Sequence, residues 1–174
     1  MKTAIDLKDK GNKEFQNNNF LSALQLYSQA IELHPDPTFY ANRAACYLNM
    51  KKFKLAIDDC NKSIQLDPNG VKPYYRLAQA YASMGQLKQA FDSLRIGCEK
   101  HPNETNMRRE YDNIQILIAY KDSLTKMIEE DQLQDALKRI SSILEKCEMD
   151  YDLLVMKIEL LCKTGDTKWA ATLL

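Results

Sequence analysis

Large apolar residues recur along this chain at i, i+3, i+4 spacing, the period of one helix face, and the polar interruptions between them are short. Only 5 Gly and 5 Pro stand among 174 residues, too few for an all-β sandwich that must turn roughly every ten residues. Long helices are therefore predicted. The pattern also repeats. Pro35, Pro68 and Pro102 recur at nearly equal intervals, and two of them follow similar endings, Ala30-Ile31-Glu32-Leu33-His34 and Ser63-Ile64-Gln65-Leu66-Asp67. Ala23, Ala56 and Ala90 keep that spacing, as do the small residues Gly11, Ala44 and Ala78, and Tyr47 and Tyr81 share the same frame. A period between roughly 20 and 50 residues marks an array of small units that stack on one another.

Numbered from Ala4, Pro37 and Val71, the units carry small residues at positions 8 and 20, Tyr27 and Leu94 at position 24 of the first and third, and Pro at 32. This resembles the tetratricopeptide repeat, which implies an all-α, right-handed superhelix of helix-turn-helix pairs, an α-solenoid. The physical sense is plain: small side chains at 8 and 20 let the two helices approach, and the larger apolar residues fill the seam. Repeat one is predicted as helices over 4–16 and 20–33 with Asn17-Asn18-Asn19 as the turn. Repeat two covers 37–67, and repeat three covers 71–101 with Gly85 in its inner turn. Three repeats thus occupy 1–104. Residues 105–128 contain no Gly or Pro and read as one long bridging or capping helix, about twelve residues longer than the unit requires. Past Pro102, Tyr120 and Leu154 keep the repeat spacing, and over 129–174 so do Ala136 and Ala170, with Gly165 in the place of Gly85. A degenerate fourth repeat and the start of a fifth are expected there. Leu174 falls inside a predicted helix, so either the sequence is a fragment or something else covers that end.

Composition limits the chemistry. The 24 basic and 24 acidic side chains cancel, so no chain-wide field favours nucleic acid or an anionic membrane. Residues 1–104 hold 14 basic and 11 acidic groups, and 105–174 hold 10 and 13, so the clearest repeats carry the positive side. No apolar run approaches the roughly 20 residues of a membrane span, and Asp6 comes too early for a signal or transit peptide, so a cytoplasmic or nuclear location is expected. The five Cys (46, 60, 98, 147, 162) are odd in number and far apart, which indicates reduced and mostly buried thiols and neither a disulfide framework nor a metal site. His34 and His101 both precede Pro at repeat position 31. His34-Pro35-Asp36 matches the tripeptide by which J domains stimulate Hsp70 ATPases, but it occupies the inter-repeat corner that Asp67-Pro68-Asn69 and His101-Pro102-Asn103 fill elsewhere. With no glycine-rich phosphate loop, no nucleophile elbow and no paired metal ligands, no enzyme, cofactor or metal is predicted.

Recognition is the remaining role. The first helices of the units face the groove with positions 2, 5, 6 and 9. There the chain places Lys8 and Asn12, then Asn42, then Lys72 and Arg76, cations and amides with no acid nearby in the frame. Such donors suit a doubly charged carboxylate ligand. The set resembles the carboxylate clamp of tetratricopeptide co-chaperones, and the local sequences Leu7-Lys8-Asp9-Lys10-Gly11-Asn12, Tyr40-Ala41-Asn42-Arg43-Ala44-Ala45 and Lys72-Pro73-Tyr74-Tyr75-Arg76 are similar in style. The resemblance implies capture of the C-terminal Glu-Glu-Val-Asp of the Hsp70 and Hsp90 classes of heat-shock chaperones. Lys8, Asn12 and Asn42 would hold the terminal carboxylates, and Lys72 and Arg76 the acidic and backbone groups. Phe15 and Ala45 would form a pocket for the Val side chain. Arg43 is assigned to a structural ion pair or the surface. A looser likeness suggests the branch that ends in a J domain. Two other roles stay open: a scaffold for an unrelated protein, and self-association through the C-terminal helices.

Overall fold

The computed structural model describes residues 3–165, so Ala170 and Leu174 lie outside the described residues. Nine α-helices are found among them: α1 (Ala4–Gln16), α2 (Phe20–Leu33), α3 (Pro37–Asn49), α4 (Phe53–Leu66), α5 (Val71–Ser83), α6 (Leu87–Lys100), α7 (Thr105–Glu129), α8 (Leu133–Leu144) and α9 (Tyr151–Lys163). Local chemistry sets their ends. Thr3 and Asp6 form a reciprocal capping box at the start of α1, each side chain bonding the other residue's backbone N–H. Asp36 accepts from the Thr38 N–H at 2.8 Å and Pro37 opens α3 with a ring already at helical φ. The His34-Pro35-Asp36 corner is thus a helix stop followed by a helix cap.

Inside the pairs, the turns share one geometry. Asn18, Lys51, Gly85, Asp131 and Gly165 have φ of 60°, 56°, 75°, 58° and 80°, all left-handed. In the first four turns the next residue's N–H reaches back by five positions, as in Asn19 to the Glu14 carbonyl at 2.9 Å and Gln86 to the Tyr81 carbonyl at 2.9 Å. These bonds satisfy carbonyls that the helix end leaves open and let the second helix start at once. Gly165 does repeat the turn of Gly85.

The small residues lie where the helices cross: Ala23, Ala44, Ala56, Ala90 and Ala136 are fully buried. Apolar clusters join each helix to the next, from Leu7, Ala30 and Phe39 at one end to a large cluster that runs from Tyr74 on α5 to Leu161 on α9. No unit buries its core alone. The 25-residue α7 serves two neighbours: Met107 sits over Gly97 of α6, whereas Leu124 and Met127 join the cluster that holds Ala136, Leu137 and Ile140 of α8.

A contact across the stack comes from the loop between α8 and α9. The Met149 N–H donates to the Ser83 carbonyl at 2.9 Å, and its side chain packs with Phe53, Ala56 and Ala80. Glu148 pairs with Lys51 at the inner turn of repeat two. Asp150 is buried, accepts from the Leu153 N–H and pairs with Lys121 at 2.5 Å. Its carboxyl carbon fills the space of a side chain at Gly85, 2.6 Å from where a Cβ would be. Lys146 pairs with Glu110 of α7.

Candidate peptide-binding site

The alternate helices α1, α3 and α5 bring their polar positions into one hollow of about 320 Å³. All seven residues singled out in the sequence line it: Lys8, Asn12, Phe15, Asn42, Ala45, Lys72 and Arg76. Gln16, Thr38 and Tyr27 complete the lining, and no carboxylate is among the ten. The set holds three cations and three amides.

Their surroundings assign each a posture. Asn12 Oδ1 accepts two hydrogen bonds, from the Tyr27 hydroxyl at 2.8 Å and from Asn42 Nδ2 at 3.2 Å. Its carbonyl is thereby occupied and its amino group is left as a donor to the hollow. Tyr27 is a residue the sequence reasoning missed. It stands at position 24 of repeat one, a place read for packing only, yet its hydroxyl orients a groove amide. The residue is 2% exposed, and burial pushes the phenol up to about 12, so it remains a donor at neutral pH.

Arg76 donates from one guanidinium nitrogen to the Ala41 carbonyl at 2.5 Å, which ties α5 to α3. Burial draws its pKa below the ordinary value, with Cys60, Tyr27 and Cys46 pulling the other way, and it has no acid partner among the described residues. Lys72 is exposed and likewise has none. Lys8 departs from expectation. The sequence suggested no acid nearby, but Lys8 Nζ lies 2.9 Å from Asp9, the residue at position 6 of repeat one. The Asp9 side chain is 57% exposed and does not line the hollow, so the pair is a solvated one that contributes little. Arg43, beside Asn42, turns away from the hollow: it makes a bidentate pair with Asp59, both contacts at 2.7 Å, and donates to Ser28 Oγ at 3.1 Å.

The five thiols are free. Cys46, Cys60 and Cys147 are buried, and burial pushes them up to about 11, about 12 and about 11, values that keep them protonated and unreactive. Among the described residues no cluster of His, Cys, Asp and Glu is placed to hold a metal ion, and no helix is long and apolar enough to cross a membrane.

Comparison with known proteins gives the lineage. Two models of the tetratricopeptide repeat match, over residues 37–69 and 60–92. Heat shock protein STI1 of Saccharomyces cerevisiae is 30% identical over 144 residues, 79% of this chain and 24% of its own length. The chain spans between 10% and 36% of the length of the curated relatives it matches. Among solved structures, the first tetratricopeptide domain of Spaghetti (RPAP3), bound to the HSP90 peptide SRMEEVD, is 30% identical, with 67% of this chain and 94% of that one covered and a TM-score of 0.65. The P58(IPK) tetratricopeptide domain superposes over 98% of this chain and 48% of its own with a TM-score of 0.81, but at 20% identity that likeness concerns the fold alone. Nothing in these likenesses supports the branch that ends in a J domain. Nine helices among the described residues, stacked in helix-turn-helix fashion, and a match over nearly all of a solved domain at 30% identity place the chain in the tetratricopeptide repeat family, related to the co-chaperones of Hsp70 and Hsp90.

Proposed function

We propose that this chain is an adaptor that binds the free C-terminal carboxylate of an acidic peptide, of the Glu-Glu-Val-Asp type carried by Hsp70 and Hsp90 heat-shock chaperones, in the cytoplasm and without chemistry of its own. The observation that carries this reading is the 320 Å³ hollow lined by three cations, three amides and no carboxylate. Lys8, Asn12 and Asn42 hold the terminal carboxylates, Lys72 and Arg76 grip acidic and backbone oxygens, and Phe15 and Ala45 border the adjoining aliphatic side chain. Charged donors strengthen such hydrogen bonds about twofold over neutral ones. A short peptide that must give up its conformational freedom on binding then reaches the micromolar range, about −8 kcal/mol.

The test is a titration of free-acid and C-terminally amidated Glu-Glu-Val-Asp peptides into the chain. The free acid is expected to bind at least about tenfold tighter. Lys8→Ala and Arg76→Glu should each abolish measurable binding while the helical circular dichroism stays the same. Equal affinity for acid and amide would remove the clamp. The affinity should also weaken with salt, since Lys72 is exposed to screening.

A further inference from the structure

The α8–α9 loop folds back far enough to become part of the groove. It is held there by independent contacts: Met149 to the Ser83 carbonyl and into the Phe53 cluster, Glu148 to Lys51, and Asp150 against Gly85. Between this loop and the second and third repeats lies a further cavity of about 540 Å³. Leu48 and Phe53 give it apolar surface, and the loop contributes Glu145, Lys146 and Glu148 as its far wall. This cavity shares Phe15, Ala45 and Arg76 with the carboxylate hollow, so the two are adjoining chambers. Consecutive Cα atoms are about 3.8 Å apart, so the chain neighbour of a residue whose carboxylates sit in the first chamber is within reach of the second.

The chambers differ in charge. In the first, no carboxylate lines the wall. In the second, Lys51 is paired with Glu148 and Lys146 with Glu110, while Glu145 has no partner among the described residues. Arg76 is turned to the Ala41 carbonyl. An acidic side chain entering here meets Lys51 and Lys146 already paired and two carboxylates beside them, with Arg76 the one lining cation unpaired among the described residues and that one shared with the first chamber, whereas an aliphatic side chain meets Phe15, Ala45, Leu48 and Phe53.

We propose that the α8–α9 loop forms one wall of the ligand site, and that Glu145 and Glu148 make the second chamber select an uncharged over an acidic side chain at the residue preceding the peptide's C-terminal acid. This selectivity rests on the carboxylate-clamp reading and extends it. It arises from a repulsive element as well as an attractive one.

Free-acid peptides of equal length ending in Val-Asp and in Glu-Asp, titrated into the whole chain and into an E145Q/E148Q variant, test it. The unaltered chain is expected to bind the Val-Asp peptide about tenfold tighter than the Glu-Asp peptide, and the variant is expected to narrow that ratio to about threefold or less. An unchanged ratio, or no preference in the unaltered chain, overturns the proposal while leaving the clamp in place. Equal binding of acid and amide Val-Asp peptides overturns the clamp and this proposal with it. Hydrogen exchange supplies a readout free of mutation. The Val-Asp peptide should slow exchange across residues 145–150, and the amidated peptide should not; exchange there that ignores the free acid also overturns the proposal.

Discussion

Gly11 occupies a place where the other repeats accept alanine. Ala44 and Ala78 stand at the same position of repeats two and three, and both are fully buried. The difference lies across the helix pair: position 24 is Cys60 and Leu94 in those repeats but Tyr27 in the first. A Cβ at Gly11 would lie 2.7 Å from Tyr27 Cε1 and 2.9 Å from Cδ1, so the ring must move. Gly11→Ala is therefore expected to cost about 1–3 kcal/mol, the usual range for overpacking, despite alanine's better helix propensity. Because the Tyr27 hydroxyl holds the Asn12 carbonyl, peptide affinity should fall as well. Urea unfolding and a peptide titration on the same variant check both parts; a more stable variant would show that the ring has room. Gly85 is the complementary case. Asn18, Lys51 and Asp131 adopt the same left-handed turn without being glycine, so positive φ alone does not demand it. What excludes a side chain at 85 is the Asp150 carboxyl, and a contact so distant along the chain leaves no mark in the local sequence.

Within the elements, the sequence was most legible where the interaction is short-range. The boundaries of α1 and α2 follow from the apolar period and the Asn17-Asn18-Asn19 turn, and the corner at His34-Pro35-Asp36 follows from its recurrence at 67–69 and 101–103. The seven groove residues could be picked because a helix face repeats its positions. Asp9 was overlooked although it stands at position 6 of repeat one, within the frame itself, and Lys8 pairs with it. Arg43 was rightly set aside from the groove. Its guanidinium links three helices, through Asp59 on α4 and Ser28 on α2, with the faces of Tyr40 and Tyr47 at 5.6 and 6.0 Å. The Asp59 hydrogen bond raises the Arg43 pKa, and burial pushes the Asp59 carboxyl up while Arg43 draws it back. Removing one partner leaves a buried charge. Arg43→Met should destabilise by about 3–5 kcal/mol, and the double change with Asp59→Leu should recover most of that loss. A double-mutant cycle by urea denaturation measures this, and a double variant no better than Arg43→Met would show that the pair is not the source of the cost.

At the scale of the whole molecule, the stacking of neighbours could be read from the repeat period, but the return of the α8–α9 loop could not. The loop follows the 25-residue α7 and the helix α8, and it meets the inner turns of repeats two and three through Lys51 and Ser83, contacts far apart along the chain. The core formed by this arrangement encloses groups that titrate only at high pH, and that has a consequence for stability. Cys46, Cys60 and Cys147 move from 9.0 to about 11, about 12 and about 11, and Tyr27 moves from 10.0 to about 12, in each case through burial first. Once unfolded, these groups lose protons from about pH 9, whereas in the folded chain they keep them; the native state then binds more protons, so stability must fall as pH rises. The contribution is fully present below pH 9 and is lost progressively up to the folded values of about 11 to 12. Each group adds a slope of at most about 1.4 kcal/mol per pH unit in that window. Melting temperature should thus hold steady from about pH 7 to 8.5 and drop steeply by about pH 10.5. Cys60→Ala will melt lower throughout, because it empties a buried site, yet its decline above pH 9 should be shallower. Parallel alkaline slopes for the two proteins would mean that the Cys60 thiol is not held protonated by the packing of α4 against α3 and α5.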